Sequence, residues 1–281
     1  MSVNPSRKKR KYRLRTILLV VNLTVLIIPL AAILFFRISE NLLVQQTEGE
    51  LISQAAVISA IYKNQVFHSV FDPSGHGKPL PGTNPQSGDE LYKPVQPELD
   101  LSEDPVLPPR PDGVEPGLDS KTDPVVEAIG RNLSSILLDT KMTTLSAIKI
   151  LDYHGNAVSG QSEIGLSFSN LEEVRSALEG QYTSVIRERI TDEPPPPIAS
   201  ISRGTNIRVF IAFPVVYENR LWGVVYISRT PKNILKNLYA QKEKVILAGL
   251  VVIGLTLLLV YFTSRTISRP VYQLIQQTQG A

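Results

Sequence analysis

Two stretches of the chain carry no charge. Thr16 to Phe36 runs for 21 residues, and Val245 to Thr263 is rich in Leu, Val and Ile. A helix rising roughly 1.5 Å per residue crosses a hydrocarbon core of about 30 Å in about 20 residues. The pattern therefore predicts transmembrane helices over 16–36 and 245–263. A cleaved leader is the other reading of the first run, but the run exceeds a leader's usual apolar core and no clean Ala-x-Ala site follows it. Arg7, Lys8, Lys9, Arg10, Lys11, Arg13 and Arg15 precede the first run without an acid among them. The positive-inside rule then predicts a cytoplasmic tail at 1–15, residues 37–244 outside, and a multi-pass protein of a bacterial inner membrane with both termini cytoplasmic.

Between the two runs the periodicity changes several times. Ile38, Leu42, Leu51, Ala55, Ile58 and Tyr62 recur at helical spacing and predict a long helix over 37–71. Residues 72–125 carry 12 prolines and 6 glycines with many acids and no period. Such composition buries too little apolar surface to offset chain entropy, and it predicts a disordered acidic insertion. A docking segment for a partner and a weak divalent-cation site are the sharper readings of the same acids. Ile129, Leu133, Ile136 and Leu137 then mark a second helix over 126–141. Strands are predicted at 145–151, 157–160, 182–190, 207–217 and 221–228, with a short helix at 171–178 stopped by Gly180. Glu218-Asn219-Arg220 reads as the hairpin turn between the last two strands. A proline-rich loop at 192–197 and a closing helix at 231–244 complete the order, which is that of an antiparallel five-stranded α+β domain at 126–240.

Composition narrows the chemistry. The chain has no cysteine, which excludes disulfides, thiolate metal sites and a cysteine nucleophile. Its three histidines, His68, His76 and His154, are scattered. The net charge of +3 rests mainly on the N-terminal block, so no nucleic-acid partner is expected. Asp152 and His154 lie two apart in a turn without a nucleophile, so no catalytic residues, metal or cofactor are assigned.

The run Ile148-Lys149-Ile150-Leu151-Asp152-Tyr153-His154-Gly155 resembles the second-strand turn of PDC (Cache) sensor domains. Ile164-Gly165, Ala177-Leu178-Glu179-Gly180-Gln181-Tyr182, Phe213-Pro214-Val215 and Trp222-Gly223-Val224-Val225-Tyr226-Ile227 follow in that family's order. The resemblance covers residues 126–238, with 38–70 as the family's long first helix. Citrate-type members carry an Arg and a His just after the Asp-x-x-Gly turn to hold carboxylates. Ala157 and Gly160 stand at those places here, which speaks against a di- or tricarboxylate ligand. A carboxylate pocket wants fork-shaped guanidinium donors, and Arg208 is the best remaining one. It shares a strand face with Phe210 and Ala212, and these three are the expected ligand-binding residues.

Residues 264–281 resemble the opening of a HAMP linker, in which an Ile-x-x-Pro element starts a signalling helix. Ile267, Pro270, Val271 and Leu274 are the expected relay seam, Ile267, Val271 and Leu274 being spaced for a coiled coil. These resemblances imply the sensor part of a two-component histidine kinase. It would act as a membrane-bound homodimer, answering a small-molecule or envelope stimulus and reaching a response regulator only through a kinase part beyond Ala281. A chemoreceptor input shares the same features. An envelope scaffold that uses the acidic segment to bind a partner is the reading from a different class.

Overall fold

The computed structural model describes residues 14–80, 94–118, 120–190 and 206–231, and separate positions between 243 and 261. The chain divides into two compact units, Met1–Ile38 with Lys236–Ala281, and Ser39–Leu235. The basic tail at 1–13, the loop at 192–197, nearly all of the helix expected at 231–244, and the relay seam at 264–281 lie outside the described residues.

The first unit contains the start of helix α1 (Leu14–Ser69), where Leu30, Ile33, Leu34 and Phe35 are exposed. Among the described residues no helix is long and apolar enough to cross a membrane. This corrects the expectation of flanking transmembrane helices at 16–36 and 245–263, and with it the multi-pass inner-membrane localisation. The apolar run at 16–36 is not a separate element. It continues into a 56-residue helix that soon takes up Arg37, Glu40, Glu48 and Glu50, and its described side chains begin at Leu23 and are interrupted up to Phe36. Of the second run, helix is described only at interrupted positions from Leu247 to Tyr261, which make no continuous span.

The second unit is α+β. Its strands are β1 (Lys78–Pro79), β2 (Val106–Leu107), β3 (Ala147–Asp152), β4 (Ala157–Ser159), β5 (Thr183–Glu188), β6 (Ile207–Tyr217) and β7 (Arg220–Arg229). They form one seven-stranded sheet in the order β2-β5-β6-β7-β3-β4, with β1 pairing to β7. All pairings are antiparallel except β2 with β5, which is parallel. The sheet is therefore mixed, not the five-stranded antiparallel one expected. Both additional strands come from the proline-rich segment. Each is two residues long, too short to show the alternation that marks a strand in sequence.

Strand β7 lies between β6 and β3, and Leu221 to Ser228 are all buried. Burial on both faces accounts for its unbroken apolar run Leu-Trp-Gly-Val-Val-Tyr-Ile. Helices α1 and α2 (Pro124–Thr144) cover one face, where Leu51, Ala55, Ile58, Tyr62, Ile129 and Leu133 pack on Ile150, Val209, Ile211 and Val225. Helix α3 (Glu172–Leu178) covers the other face, with Val174 and Ala177 against Ala212, Val224 and Tyr226. Helix α2 begins on Asp123, whose carboxylate accepts from the Val125 N–H at 2.8 Å, with Pro124 in the first turn where its missing donor costs nothing. Gly130 lets α2 lie against β4: a Cβ there would stand 2.1 Å from the Val158 carbonyl oxygen.

Part of the proline-rich segment is pinned to the core through Glu48 of α1. Its fully buried carboxylate accepts from the Glu98 and Leu99 N–H groups at 3.0 and 2.9 Å and from the Tyr182 hydroxyl at 2.8 Å. Leu99 and Leu101 are buried in the core beside α1.

Candidate ligand cleft

Strand alternation places Arg187, Arg208, Phe210, Lys149, Tyr226 and Ser228 on the α3 face of the sheet. The register agrees: Arg187 pairs with Arg208, Phe210 with Ser228, and Lys149 with Tyr226. At the end of that face away from α3 is a cleft of about 440 Å³. Its lining includes Arg208, Phe210, Tyr226, Ser228 and Lys149 from the sheet, Lys141 from the end of α2, Arg110 and Asp112 from the proline-rich segment, Glu163 from the loop after β4, and Glu188 with Arg189 at the end of β5. Five cations, Arg110, Lys141, Lys149, Arg189 and Arg208, thus face three carboxylates, Asp112, Glu163 and Glu188, leaving a surplus of two positive charges.

Local bonding places that surplus. Glu163 is the hub of one wall: the Arg110 guanidinium donates to it at 2.9 and 3.2 Å, the Lys149 ammonium lies 3.0 Å away, and the Gly113 N–H donates at 3.0 Å. Burial raises its pKa, but the Gly113 N–H and the two cations outweigh burial and bring it to about 2. Both cations also sit over the Phe168 ring, 5.1 and 5.3 Å from its centroid. The Arg110 Nη1 is buried with no hydrogen-bond partner.

Arg208 is placed differently. Its Nε donates to the Ser228 hydroxyl at 3.0 Å and its Nη2 to the Ser228 carbonyl at 3.3 Å, with the guanidinium 5.9 Å from the Phe210 ring centre. Among the described residues no carboxylate lies within ion-pair distance of it. Burial, then the charges of Arg189 and Arg110, lower its pKa below the ordinary guanidinium value. Burial likewise lowers Lys149, against its bond to Glu163. Like charges drawn together and partly desolvated are costly unless something anionic joins them.

Arg187, beside Arg208 in the sheet, has its own partner. Its Nε and Nη2 meet the two oxygens of the fully buried Glu173 on α3 at 3.1 and 2.9 Å, and its Nη1 reaches the Pro108 carbonyl at 3.3 Å. The Tyr226 hydroxyl donates to the same Glu173 at 2.9 Å. The floor of the cleft, helix α3 and the proline-rich segment are thereby bonded through the Glu173–Arg187 pair.

Of the three residues predicted to bind ligand, Arg208 and Phe210 line the cleft. Ala212 shares their strand face but is fully buried under α3. The sequence reading missed Arg110, Lys149 and Glu163. Lys149 carried a signal, a lone charge inside the apolar strand Ile148-Lys149-Ile150-Leu151; Arg110 carried none. The Asp152 turn is structural: one oxygen accepts from the His154 and Asn156 N–H groups, the other from the Thr122 hydroxyl. Among the described residues no group of three or more His, Asp or Glu is placed to hold a metal ion.

A second buried polar cluster lies at the opposite end of β3. His76 is packed edge-on between Tyr153 and Trp222, with ring centres 5.5 and 5.9 Å apart, and its Nε2 is buried without a partner. The Arg220 guanidinium holds this loop through the carbonyls of Gly75, His76 and Gly77. Burial lowers the His76 pKa and Arg220 adds to this, while Asp123 opposes it.

No protein-family model matches the chain, and no curated protein matches it.

Proposed function

We propose that residues 39–235 form a ligand-sensing input domain of the PDC/Cache-like type, whose occupancy is relayed through the HAMP-like segment 264–281 to a histidine-kinase output. The observation that carries the reading is Arg208, a partly desolvated cation at the floor of a cleft, with no carboxylate within ion-pair distance among the described residues. A partly desolvated charged group in a concave site is a candidate binding position. The bonds from Tyr226 to Glu173 on α3, and from Arg187 to the Pro108 carbonyl, give occupancy a route to two elements beyond the cleft.

The test is a thermal-shift screen of small anionic metabolites on the full chain and on Arg208→Ala. Binding to the native state raises its stability by RT ln(1 + [L]/Kd). At least one anion should raise the midpoint of the parent chain and fail to do so in Arg208→Ala. A parent midpoint unmoved by the whole screen would overturn the reading.

A further inference from the structure

We infer that residues 72–80 form an acid-released strap: neutral His76 seats the segment on the sheet, and a proton on His76 frees it. The strap lies at the end of β3 opposite the cleft and does not depend on a ligand there.

The strap follows the end of α1 and is held to β7 by a few bonds. Lys78 and Pro79 pair with Leu221 and Arg220, the Leu80 N–H donates to the Asn219 carbonyl at 3.0 Å, and the Asn219 side chain donates to the Leu80 carbonyl at 3.2 Å. The Arg220 guanidinium reaches the carbonyls of Gly75, His76 and Gly77. The approach is close: a Cβ on Gly77 would stand 2.3 Å from the Leu221 carbonyl oxygen. Two strap side chains are buried. Leu80 packs in the core on the α3 side, a contact indifferent to pH, and His76 lies between Tyr153 and Trp222.

That second seat suits a neutral ring. The His76 Nε2 and the Trp222 Nε1 are both buried without a hydrogen-bond partner among the described residues. An imidazolium is a donor at both nitrogens, so a proton there places a charged donor where nothing accepts it. Burial opposes the charge and Arg220 on β7 repels it, while Asp123, ahead of α2, attracts it. The Asp123 carboxylate is already engaged by the Val125 N–H. The other groups of the packed elements are spent elsewhere. Asp152 on β3 accepts from the His154 and Asn156 N–H groups and the Thr122 hydroxyl, and the Tyr62 hydroxyl of α1 donates to the Trp222 carbonyl. Burial raises the Tyr153 phenol, which stays neutral, and His154 stacks on it. On the strap itself Asp72 accepts from Ser74 and Gly75, and Lys78 is exposed.

Released, the ring is hydrated and takes up a proton at its ordinary value of 6.5; seated, it resists to lower pH. Acid therefore favours the released strap, each pKa unit between the two being worth about tenfold in the release equilibrium. Release also brings water to the Trp222 Nε1.

Trp222 is the only tryptophan in the chain, so its emission reports on this seat alone. The experiment is a pH titration of the full chain followed by tryptophan emission, acrylamide quenching and far-UV circular dichroism, with hydrogen exchange corrected for its intrinsic pH dependence. As the pH falls from about 7 to about 5, emission should shift to the red and quenching should rise, with circular dichroism unchanged. Exchange should quicken in 76–80 and not in β6. His76→Phe and His76→Gln, neutral at every pH, should abolish the transition, whereas His154→Gln and His68→Gln should keep it. Asp123→Asn, which still caps α2, should enlarge it, because a seated ring that holds its proton less well widens the gap that drives release. A loop that frays for reasons other than His76 would show no such gain. A flat Trp222 signal, a transition that survives in both His76 variants, one lost with His154 or His68, or one that Asp123→Asn leaves unchanged would overturn the inference. Exchange that quickens equally in β6 would overturn it too, since that is acid unfolding of the whole domain.

Discussion

Single side chains in this domain divide into charges held by partners inside the protein and charges left for something else. Glu173 and Arg187 are the first kind, a buried bidentate pair with Tyr226 as a third member. Glu173→Ala strands the Arg187 cation and should cost about 3–5 kcal/mol in chemical denaturation. Arg208→Ala removes a cation with no carboxylate within ion-pair distance and should cost less than about 1 kcal/mol. Comparable losses in the two variants would erase the distinction. Acid acts on two other residues in the same direction. Glu163 has its folded pKa lowered from 4.5 to about 2. Its contribution is complete above the unfolded value and is lost as the pH falls from 4.5 towards 2. His76 is held below its ordinary 6.5 by burial. The unfolded chain takes up that proton first, so stability falls as the pH drops below 6.5. His76→Phe should flatten the decline between about pH 7 and pH 5 without touching the decline at lower pH. An unchanged profile in that variant would show that His76 does not set it.

At the scale of elements, the tightest fit is that of α2 on β4. Gly130→Ala places a methyl group 2.1 Å from a carbonyl oxygen, which helix and strand can relieve only by separating. The expected loss is about 2 kcal/mol or more, read from urea unfolding, and retention of full stability would show that the helix can shift freely. Elements of this kind were legible in the chain. The stripe of Ile129, Leu133 and Leu137 announced α2, and the paired runs around Glu218-Asn219 announced the β6–β7 hairpin. The turn itself puts both Glu218 and Asn219 at positive φ without a glycine, so Glu218→Gly should be tolerated there, unlike Gly130→Ala. What could not be read was β2. Two residues bounded by Pro105 and Pro108 show no alternation, and their partner strand lies some 80 residues on. The same gap hid Arg110: a cation in a segment without period gives no hint of which face it meets. Arg208 could be found because its strand was found. The flanking transmembrane helices were read from charge-free apolar runs and the basic block before the first, and such runs do not say where an element begins and ends.

Taken whole, the second unit is a sheet into which described parts of the proline-rich segment are built. Leu99 and Leu101 are buried, Glu48 depends on N–H donors from residues 98 and 99, and Arg187 reaches the Pro108 carbonyl. Excising residues 94–118 should therefore cost more than about 3 kcal/mol, from lost apolar burial and an orphaned carboxylate. A deletion variant as stable as the parent would show that the segment is only appended. The parallel pairing of β2 has one more effect. It covers β5 at Ile186 and Arg187, on a six-residue strand that otherwise ends the sheet, while the opposite margin, β4, is only three residues long. Bare rows of backbone donors and acceptors are templates on which another chain can add a strand. Proline-flanked β2 blocks that row and, with Pro105 and Pro108 beside it, offers little for a further strand to pair with. Damage to residues 105–108 would then announce itself first by growth of particles with concentration in light scattering, before any loss of helix or sheet from the monomer.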